Sequence, residues 1–97
     1  MAAYLIAFAK VKNADRLPEY SSAAAPTLGA AGGSIVTRGK VRSLVGTFSA
    51  TSCLVVRFAD ATAIESWYQS PAYQALVPLR DEVMEPNFLV LEEPPAS

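Results

Sequence analysis

The first predicted strand is apolar on both of its alternating faces, which limits the folds open to the chain. Apolar side chains fill both alternating sets of residues 3–11, namely Tyr4, Ile6 and Phe8 on one side and Leu5, Ala7 and Ala9 on the other. A strand with this pattern has to be covered on both faces. We therefore expect one layer of helices on one side of the sheet and a different partner on the other side.

Residues 60–84 carry the clearest helical pattern in the chain. Asp60 can accept hydrogen bonds from the free N–H groups at the start of a helix, and Ile64 and Trp67 recur at helical spacing. Ser70 can then cap a second segment. The sequence predicts two helical segments separated by a bend at Ser70-Pro71. Tyr68, Tyr73 and Arg80 are then expected to lie close together near the bend.

Prolines and glycines predict where the other helical segments begin and end. Pro78 lacks an N–H group and is expected to kink or end the second segment of residues 60–84. An earlier helix is expected to begin near Arg16, with Asn13 or Asp15 as its cap, and to end at Gly32-Gly33. Its expected buried side consists of Leu17, Tyr20, Ala24 and Leu28, and Pro26 is expected to bend it.

Three further strands complete the predicted order. Residues 34–46 are expected to form a long strand with a bulge or bend at Gly39, residues 53–58 a third strand and residues 87–93 a fourth. Two halves of the chain echo each other at a constant offset of 47 residues, matching Val11, Asn13, Ala14, Leu17 and Tyr20 with Phe58, Asp60, Ala61, Ile64 and Trp67. The echo indicates two similar β-α-β halves.

This order predicts an α+β fold, a ferredoxin-like β-α-β-β-α-β sandwich with a four-stranded antiparallel sheet and helices on one face. We expect a single domain over residues 1–97, with an ordered core at about residues 3–92 and a loose tail at 93–97. A homodimer in which two sheets face each other would cover the second apolar face. The alternative is a monomer with an open face.

Composition excludes several classes of function. The net charge is −1 and charges of both signs are mixed along the chain, so we expect neither nucleic acid nor a membrane surface as a partner. Cys53 is the single cysteine and there is no histidine, which excludes an internal disulfide and a usual zinc site. We expect a cytoplasmic protein with no metal and no cofactor of its own.

Arginine and aromatic side chains are the candidates for a ligand site, since guanidinium groups bind carboxylates. Arg57 is expected to be partly buried or at a strand end, and paired with Glu65, Glu82 or a second subunit. The candidate residues for binding a small organic acid are Tyr20, Arg38, Trp67, Tyr68, Tyr73 and Arg80. The alternative is that Trp67 and Tyr73 only pack the helices onto the sheet.

Several motifs occur along the chain, namely Glu19-Tyr20, Ala25-Pro26, Gly32-Gly33, Arg38-Gly39, Gly46, residues 54–58 and the block WYQSPAY at 67–73 with Arg80. Together these motifs resemble the domain of unknown function 1330 family, within the dimeric α+β barrel superfamily. The resemblance implies a ferredoxin-like protomer and a sheet-to-sheet dimer forming an α+β barrel. Val45 and Arg57 depart from the acidic residues that the family pattern places there, so a role for acidic groups at these positions is not carried over.

Three functions are compatible with these observations. The first is a small homodimeric protein with a pocket for a small organic molecule. The second is a cofactor-independent enzyme, similar to the monooxygenases and isomerases of the superfamily, and the third is a structural or interaction module without a ligand. Whether the protein is an enzyme is left open, and no catalytic residue is assigned.

Overall fold

Four strands form one antiparallel sheet in the computed structural model, which describes residues 1–94. The strands are β1 (Ala3–Val11), β2 (Ser34–Lys40), β3 (Ser52–Phe58) and β4 (Met84–Glu92). Their order across the sheet is β2-β3-β1-β4, so the doubly apolar β1 lies at the centre. Backbone pairing extends one residue past β4, because the Glu93 N–H donates to the carbonyl of Ala2. The predicted tail therefore begins after Glu93, and its residues 95–97 lie outside the described part.

The helices are α1 (Leu17–Ala30), α2 (Ala61–Gln69), α3 (Pro71–Gln74) and α4 (Val77–Val83). Helix α1 follows β1, and helices α2, α3 and α4 lie between β3 and β4, which is the predicted order. Together with the sheet they make a ferredoxin-like fold in which the helices cover one face. This architecture agrees with the prediction from the chain order and the internal echo.

Side-chain caps divide the second helical region as predicted. Asp60 Oδ1 accepts a hydrogen bond of 2.8 Å from the Ala63 N–H at the start of α2. Ser70 Oγ accepts from the Tyr73 N–H at 3.3 Å and begins α3. Pro78 lies in the first turn of α4, where its missing N–H costs no helical hydrogen bond. The bend at Ser70-Pro71 therefore separates α2 from α3, and α3 ends before Pro78.

The ends of α1 follow from its flanking residues. Asn13 Oδ1 accepts a hydrogen bond from the Arg16 N–H, although the capping residue, Arg16, makes no side-chain cap itself. The helix continues through Pro26 and ends where Gly32 adopts a positive φ of 86°. The Gly33 N–H then donates to the carbonyl of Leu28. Glycine is required here because this backbone conformation is unfavourable for other residues.

The predicted strand at residues 34–46 is too long, and its predicted bulge is misplaced. Strand β2 ends at Lys40, and residues 41–51 form the connection to β3. Gly39 pairs regularly with Cys53, whereas the register shifts between Ile35 and Thr37. The bulge therefore falls at a β-branched residue, Val36, because pairing with β3 rather than local glycine content sets the register.

The hydrophobic core lies between the helices and one face of the sheet. Leu5, Val56 and Phe58 point to the helices from the two central strands, and Trp67 and Tyr73 meet them from α2 and α3. These five side chains are each at most 3% exposed. The interpretation of Trp67 and Tyr73 as core residues is therefore confirmed, and any functional role is additional to that packing.

The opposite face of the sheet is apolar and open in the single chain. Tyr4, Ile6 and Phe8 of β1 lie on this face beside Val55 and Leu89 of the neighbouring strands. Leu89 is 54% exposed, and the three β1 side chains are half-buried. The prediction that the strands are apolar on both faces is confirmed, and we call this surface the open face.

Arg57 also lies on the open face, opposite Tyr4, near the end of β3. Its side chain is exposed, so the expected ion pair is not needed to compensate for burial. In the described part of the chain the ion pairs are made by Arg16 and Arg80, and Glu82 binds Arg16 instead of Arg57. Within residues 1–94 the predicted pairs of Arg57 with Glu65 and Glu82 are therefore wrong, its position at a strand end is confirmed, and a pair with a second subunit stays a prediction.

Candidate functional site

In the described part of the chain, two clefts between the helices and the sheet are large enough to consider as ligand sites. The larger one, which we call the α1 cleft, has a volume of about 510 Å³ and lies between α1 and the β2–β3 side of the sheet. The smaller one, the α2 cleft, has a volume of about 350 Å³ and lies beside α2. Leu5, Trp67 and Phe88 border both clefts, so these three side chains form the wall between them.

The α1 cleft combines an apolar interior with polar groups from α1 and β2. Tyr20 and Ser21 border it from α1, and Arg38 and Lys40 border it from β2. Arg38 and Lys40 pair with Leu54 and Ser52 of β3 and, two residues apart, share the helix-facing side of the sheet. Among the described residues around this cleft, none carries a carboxylate. The cleft is therefore apolar and positively charged along its β2 side.

A chain of hydrogen bonds runs through the core between the two clefts. The hydroxyl oxygens of Tyr20 and Tyr73 lie 2.7 Å apart. Arg80 Nη1 donates to the hydroxyl of Tyr73 at 3.4 Å and to that of Tyr68 at 3.1 Å. Tyr20 borders the α1 cleft, while Tyr68 and Arg80 border the α2 cleft, so the chain connects one cleft with the other.

The Tyr20–Tyr73 pair has one phenolic proton that is free to donate a further hydrogen bond. A guanidinium N–H can only donate, so the Tyr73 oxygen accepts from Arg80. The bond between Tyr20 and Tyr73 uses one of the two phenolic protons, and no hydrogen bond within residues 1–94 uses the other. Tyr73 is 0% exposed and Tyr20 is 7% exposed. If Tyr73 donates to Tyr20, the O–H of Tyr20, the residue of the pair that borders the cleft, is left free to donate.

Burial sets the protonation of these groups. It raises the pKa of the Tyr20 hydroxyl far above its ordinary value of 10.0. Burial likewise raises the pKa of Tyr73. Burial disfavours the charged form of Arg80, yet hydrogen bonds to Tyr68, Tyr73 and Asp81 more than offset this and raise its pKa. The phenols thus serve as neutral donors near neutral pH, and Arg80 stays charged.

Trp67 is held by a polar contact as well as by packing. Its Nε1–H donates to Thr27 Oγ1 at 3.0 Å, and the Thr27 hydroxyl donates to the carbonyl of Ala24. The Trp67 ring lies 4.3 Å from that of Tyr73 between ring centroids, and 6.3 Å from that of Phe88. These contacts fix the wall between the clefts, because indole and aromatic rings that pack closely lose rotational freedom.

The structure divides the predicted site residues into two groups. Tyr20 and Arg38 belong to the α1 cleft, Tyr68 and Arg80 to the α2 cleft, and Trp67 borders both. Tyr73 is buried and bonds to Tyr20 and to Arg80. The predicted proximity of Tyr68, Tyr73 and Arg80 near the bend is therefore confirmed, while Arg38 is not part of that cluster.

Lys40 and Phe88 are among the residues around the clefts that the sequence did not indicate as candidates. Lys40 borders the α1 cleft with Arg38, and strand alternation from Arg38 would have placed both on the same face. Phe88 borders both clefts, and its ring centroid lies 5.6 Å from Arg80 Cζ. Alternation in β4 also indicates its inward orientation, because Phe88 pairs with Ala7 on the helix-facing side.

The described residues hold no cluster of three or more aspartate, glutamate or cysteine side chains arranged to bind a metal ion. Within the same residues, no helix has both the length and the apolar character that crossing a membrane requires.

Comparison with known proteins identifies the family. Residues 2–94 match the family described as domain of unknown function (DUF1330). The chain belongs to this family. The resemblance inferred from WYQSPAY and Arg80 is thereby confirmed. The part of the chain that matches the DUF1330 family includes all the residues that border the two clefts. Among curated proteins, none matches the sequence.

Solved structures with the same fold include proteins of unknown function and one described enzyme. The RPA0582 protein of unknown function from Rhodopseudomonas palustris aligns with a TM-score of 0.79 and 14% identity, covering 98% of this chain and 84% of that one. SnoaB, a cofactor-independent oxygenase from Streptomyces nogalater, aligns with a TM-score of 0.71 and 9% identity, covering 98% and 95%. A dabb family protein with a ferredoxin-like fold from Mesorhizobium loti gives 0.57 and 17%, covering 99% and 98%. These likenesses show the shared fold.

Proposed function

We propose that this DUF1330 protein binds a small organic acid with an apolar body in the α1 cleft. The observation that carries the proposal is a cleft of about 510 Å³ in which Arg38 and Lys40 lie on the β2 side and apolar side chains form the interior. Cavities of roughly 300–1,000 Å³ are the usual size for small-molecule sites. A carboxylate near the two cations and an apolar group between α1 and the sheet would satisfy both parts of the cleft.

Tyr20 supplies the third element of this proposal. Its hydroxyl is the one that can keep a free proton when Tyr73 accepts from Arg80 and donates to Tyr20. A buried donor gains a hydrogen bond when a ligand presents an oxygen to it, which favours ligands with such an oxygen over ligands without one. We therefore propose Tyr20, rather than Tyr73, as the polar contact within the cleft.

The test uses 1-anilinonaphthalene-8-sulfonate, a fluorescent aromatic anion, as the probe. We expect saturable binding that is weakened about 2- to 5-fold by Arg38→Gln or Lys40→Gln, because partly exposed ion pairs contribute roughly 0.2–1 kcal/mol. Ala24→Trp should abolish it, since Ala24 borders the cleft and indole would fill the space. Arg57→Gln is the matched control, as Arg57 is an exposed arginine on the open face.

A different pattern would contradict the proposal. If Leu89→Ser on the open face reduces probe binding and Ala24→Trp leaves it unchanged, the probe binds the open face and the α1 cleft has no role. If the folded wild-type protein shows no saturable binding of the probe, a structural or interaction module without a ligand becomes the better description of the protein.

We also propose that the working form is a cytoplasmic homodimer. The open face carries Tyr4, Ile6, Phe8 and Leu89, and a second copy related by a two-fold axis would cover the same residues on both chains. A reducing compartment suits the single Cys53, whose thiol pKa is raised by burial. Sheet-to-sheet pairing would give the dimeric α+β barrel that the family resemblance implies.

A second candidate function is cofactor-independent oxygenation. The observation that favours it is the fold shared with SnoaB over 98% of this chain. The α1 cleft of this chain offers a donor rather than a base, because Tyr20, which borders it, is neutral and the chain has no histidine. Oxygen uptake with a panel of hydroquinones in metal-free buffer tests this candidate, and turnover that Tyr20→Phe abolishes would favour it over simple binding.

A further inference from the structure

Arg80 has unused hydrogen-bonding capacity in the core. Its Nε donates to Asp81 Oδ1 at 3.0 Å, and its Nη1 donates to the hydroxyls of Tyr68 and Tyr73. A guanidinium group has five N–H donors, so these bonds leave the two hydrogens of Nη2. Within residues 1–94 no side chain or carbonyl accepts from Nη2. The Nε and Nη1 groups of Arg80 are therefore hydrogen-bonded, and its Nη2 group is free to donate.

The free nitrogen is accessible, and Arg80 borders the α2 cleft. The Arg80 side chain is only 9% exposed, yet no fully buried side-chain nitrogen or oxygen in the described part lacks a partner. Nη2 must therefore reach accessible space, and the cavity that Arg80 borders is the α2 cleft. The rings of Tyr68 and Phe88, which border the same cleft, lie 5.8 and 5.6 Å from Arg80 Cζ. They hold the guanidinium at the side of the cleft.

Tyr68 provides a second donor at the same place. Its hydroxyl oxygen accepts from Arg80 Nη1 at 3.1 Å, which leaves its own proton free to donate. The Nη2 group and the Tyr68 O–H are thus adjacent donors, one of them charged, at the edge of one cleft. Two adjacent donors match the two oxygens of a carboxylate, and charged hydrogen bonds are roughly twice as strong as neutral ones.

The remaining walls of the α2 cleft define what accompanies the carboxylate. Leu5, Ile64 and Val90 supply apolar surface, and Glu65 and Gln69 contribute polar side chains. Its volume of about 350 Å³ is near the lower limit of roughly 300 Å³ for small-molecule sites. A compact acid with one ring or a short branched chain fits this combination.

We propose that the α2 cleft is a second ligand site, which binds the carboxylate of a compact organic acid through Arg80 Nη2 and the Tyr68 hydroxyl. This site is separate from the α1 cleft of the proposed function, because Trp67 and Phe88 form the wall between the two. Each chain therefore has room for two ligands, and the donors proposed for the α2 cleft, Arg80 and Tyr68, do not border the α1 cleft.

The test is a nuclear magnetic resonance titration of the folded protein with benzoate, following the Nε–Hε signals of the arginines. We expect a saturable shift of the Arg80 signal, with weaker binding of the neutral isostere benzamide. Tyr68→Phe should weaken benzoate binding about 5-fold, the effect of one lost hydrogen bond of about 1 kcal/mol. Glu65→Gln should strengthen it about twofold, because a nearby negative charge is removed.

Controls separate this site from the α1 cleft and from loss of folding. Ala24→Trp should leave the Arg80 response unchanged even where it abolishes binding in the α1 cleft, and Arg57→Gln should also leave it unchanged. Arg80→Gln deletes the Nε–Hε group that reports binding, so Tyr68→Phe is the deciding substitution. Equal affinity for benzoate and benzamide, equal affinity in wild type and Tyr68→Phe, or no saturable shift of the Arg80 signal would each overturn the proposal.

Discussion

The hydroxyl groups of Tyr20 and Tyr73 meet at 2.7 Å although the two residues are 53 positions apart in the sequence. Tyr20 comes from α1 in the first β-α-β half, and Tyr73 from α3 in the second half. Their contact is a buried polar link between the two halves of the helical layer, beside the bond from Trp67 to Thr27. Because Tyr73 also accepts from Arg80, a change at one tyrosine alters the environment of three side chains.

Removing either hydroxyl should destabilise the protein, and the two losses should not add. Tyr20→Phe removes one buried hydrogen bond and should lower the free energy of unfolding by about 1 kcal/mol. Tyr73→Phe should cost about 1–3 kcal/mol, because it also leaves Arg80 Nη1 with one acceptor fewer. Urea denaturation of both single variants and the double variant measures the coupling, expected at about 0.5–3 kcal/mol.

Tyr4→Phe is the matched control for this cycle. Tyr4 lies on the open face in β1, outside the hydrogen-bond chain. Its substitution should combine additively with Tyr73→Phe, within about 0.5 kcal/mol. Full additivity of Tyr20→Phe and Tyr73→Phe would mean that their hydroxyls do not interact in solution.

Stability should fall at alkaline pH because of the same pair. Burial raises the pKa of both phenols in the folded protein, whereas the unfolded chain releases these protons near pH 10.0. Above that pH the unfolded state binds fewer protons than the folded state, so the stability present at lower pH is lost as the pH rises. The urea concentration at the midpoint of unfolding, measured from about pH 8 to 11, should fall less steeply with pH for the double variant Tyr20→Phe/Tyr73→Phe than for wild type. An unchanged slope would contradict burial of neutral phenols, and Tyr4→Phe serves as the reference.

Gly33 should tolerate no side chain, in contrast to Gly29. A Cβ atom at Gly33 would lie 2.9 Å from Phe58 Cζ and 3.0 Å from the carbonyl oxygen of Leu28. Gly33→Ala should therefore lower the free energy of unfolding by about 1–3 kcal/mol, as overpacking does. Gly29 has no atom within 4 Å of such a Cβ and lies in α1, so Gly29→Ala should be neutral or stabilising by roughly 0.5–1 kcal/mol. Thermal unfolding of the two variants compares them directly.

Charge on the open face should dissociate the proposed homodimer. Leu89 pairs with Ile6 across the sheet and is 54% exposed in the single chain. Leu89→Lys would place a charge between the two sheets, where its desolvation is unfavourable, so the variant should sediment as a monomer while wild type sediments at twice the chain mass. Leu44→Lys in the β2–β3 connection, where Leu44 is 96% exposed, is the control and should leave the mass unchanged. A wild-type protein that sediments as a monomer at micromolar concentration would contradict the dimer.

The main features of the fold could be predicted because they depend on local chemistry. Caps at Asp60 and Ser70 and a left-handed glycine at Gly32 act within a few residues of the chain, and the structure has them where the sequence indicates them. The position of the bulge in β2 could not be predicted in this way. It depends on the register with β3, a partner whose alignment no local signal specifies.

The candidate site was predictable only as a set of residue types. The sequence indicated that Tyr68, Tyr73 and Arg80 lie near the bend, because spacing along adjacent helical segments relates them. It also assigned Arg38 to the same pocket, whereas the structure has Arg38 on the edge strand beside the α1 cleft. The wall of Trp67 and Phe88 that separates the clefts joins α2 to β4 and arises only from packing.

The sequence by itself determined the order of the elements, their caps and the need to cover both faces of β1, since these follow from backbone hydrogen bonding and side-chain periodicity. The tertiary structure alone decided that Tyr20 meets Tyr73, that Arg57 is exposed and that Arg80 retains a free Nη2 beside the α2 cleft. The physical reason is that hydrogen-bond partners and burial are properties of the packed core, where residues far apart in the chain compete for the same donors, acceptors and space.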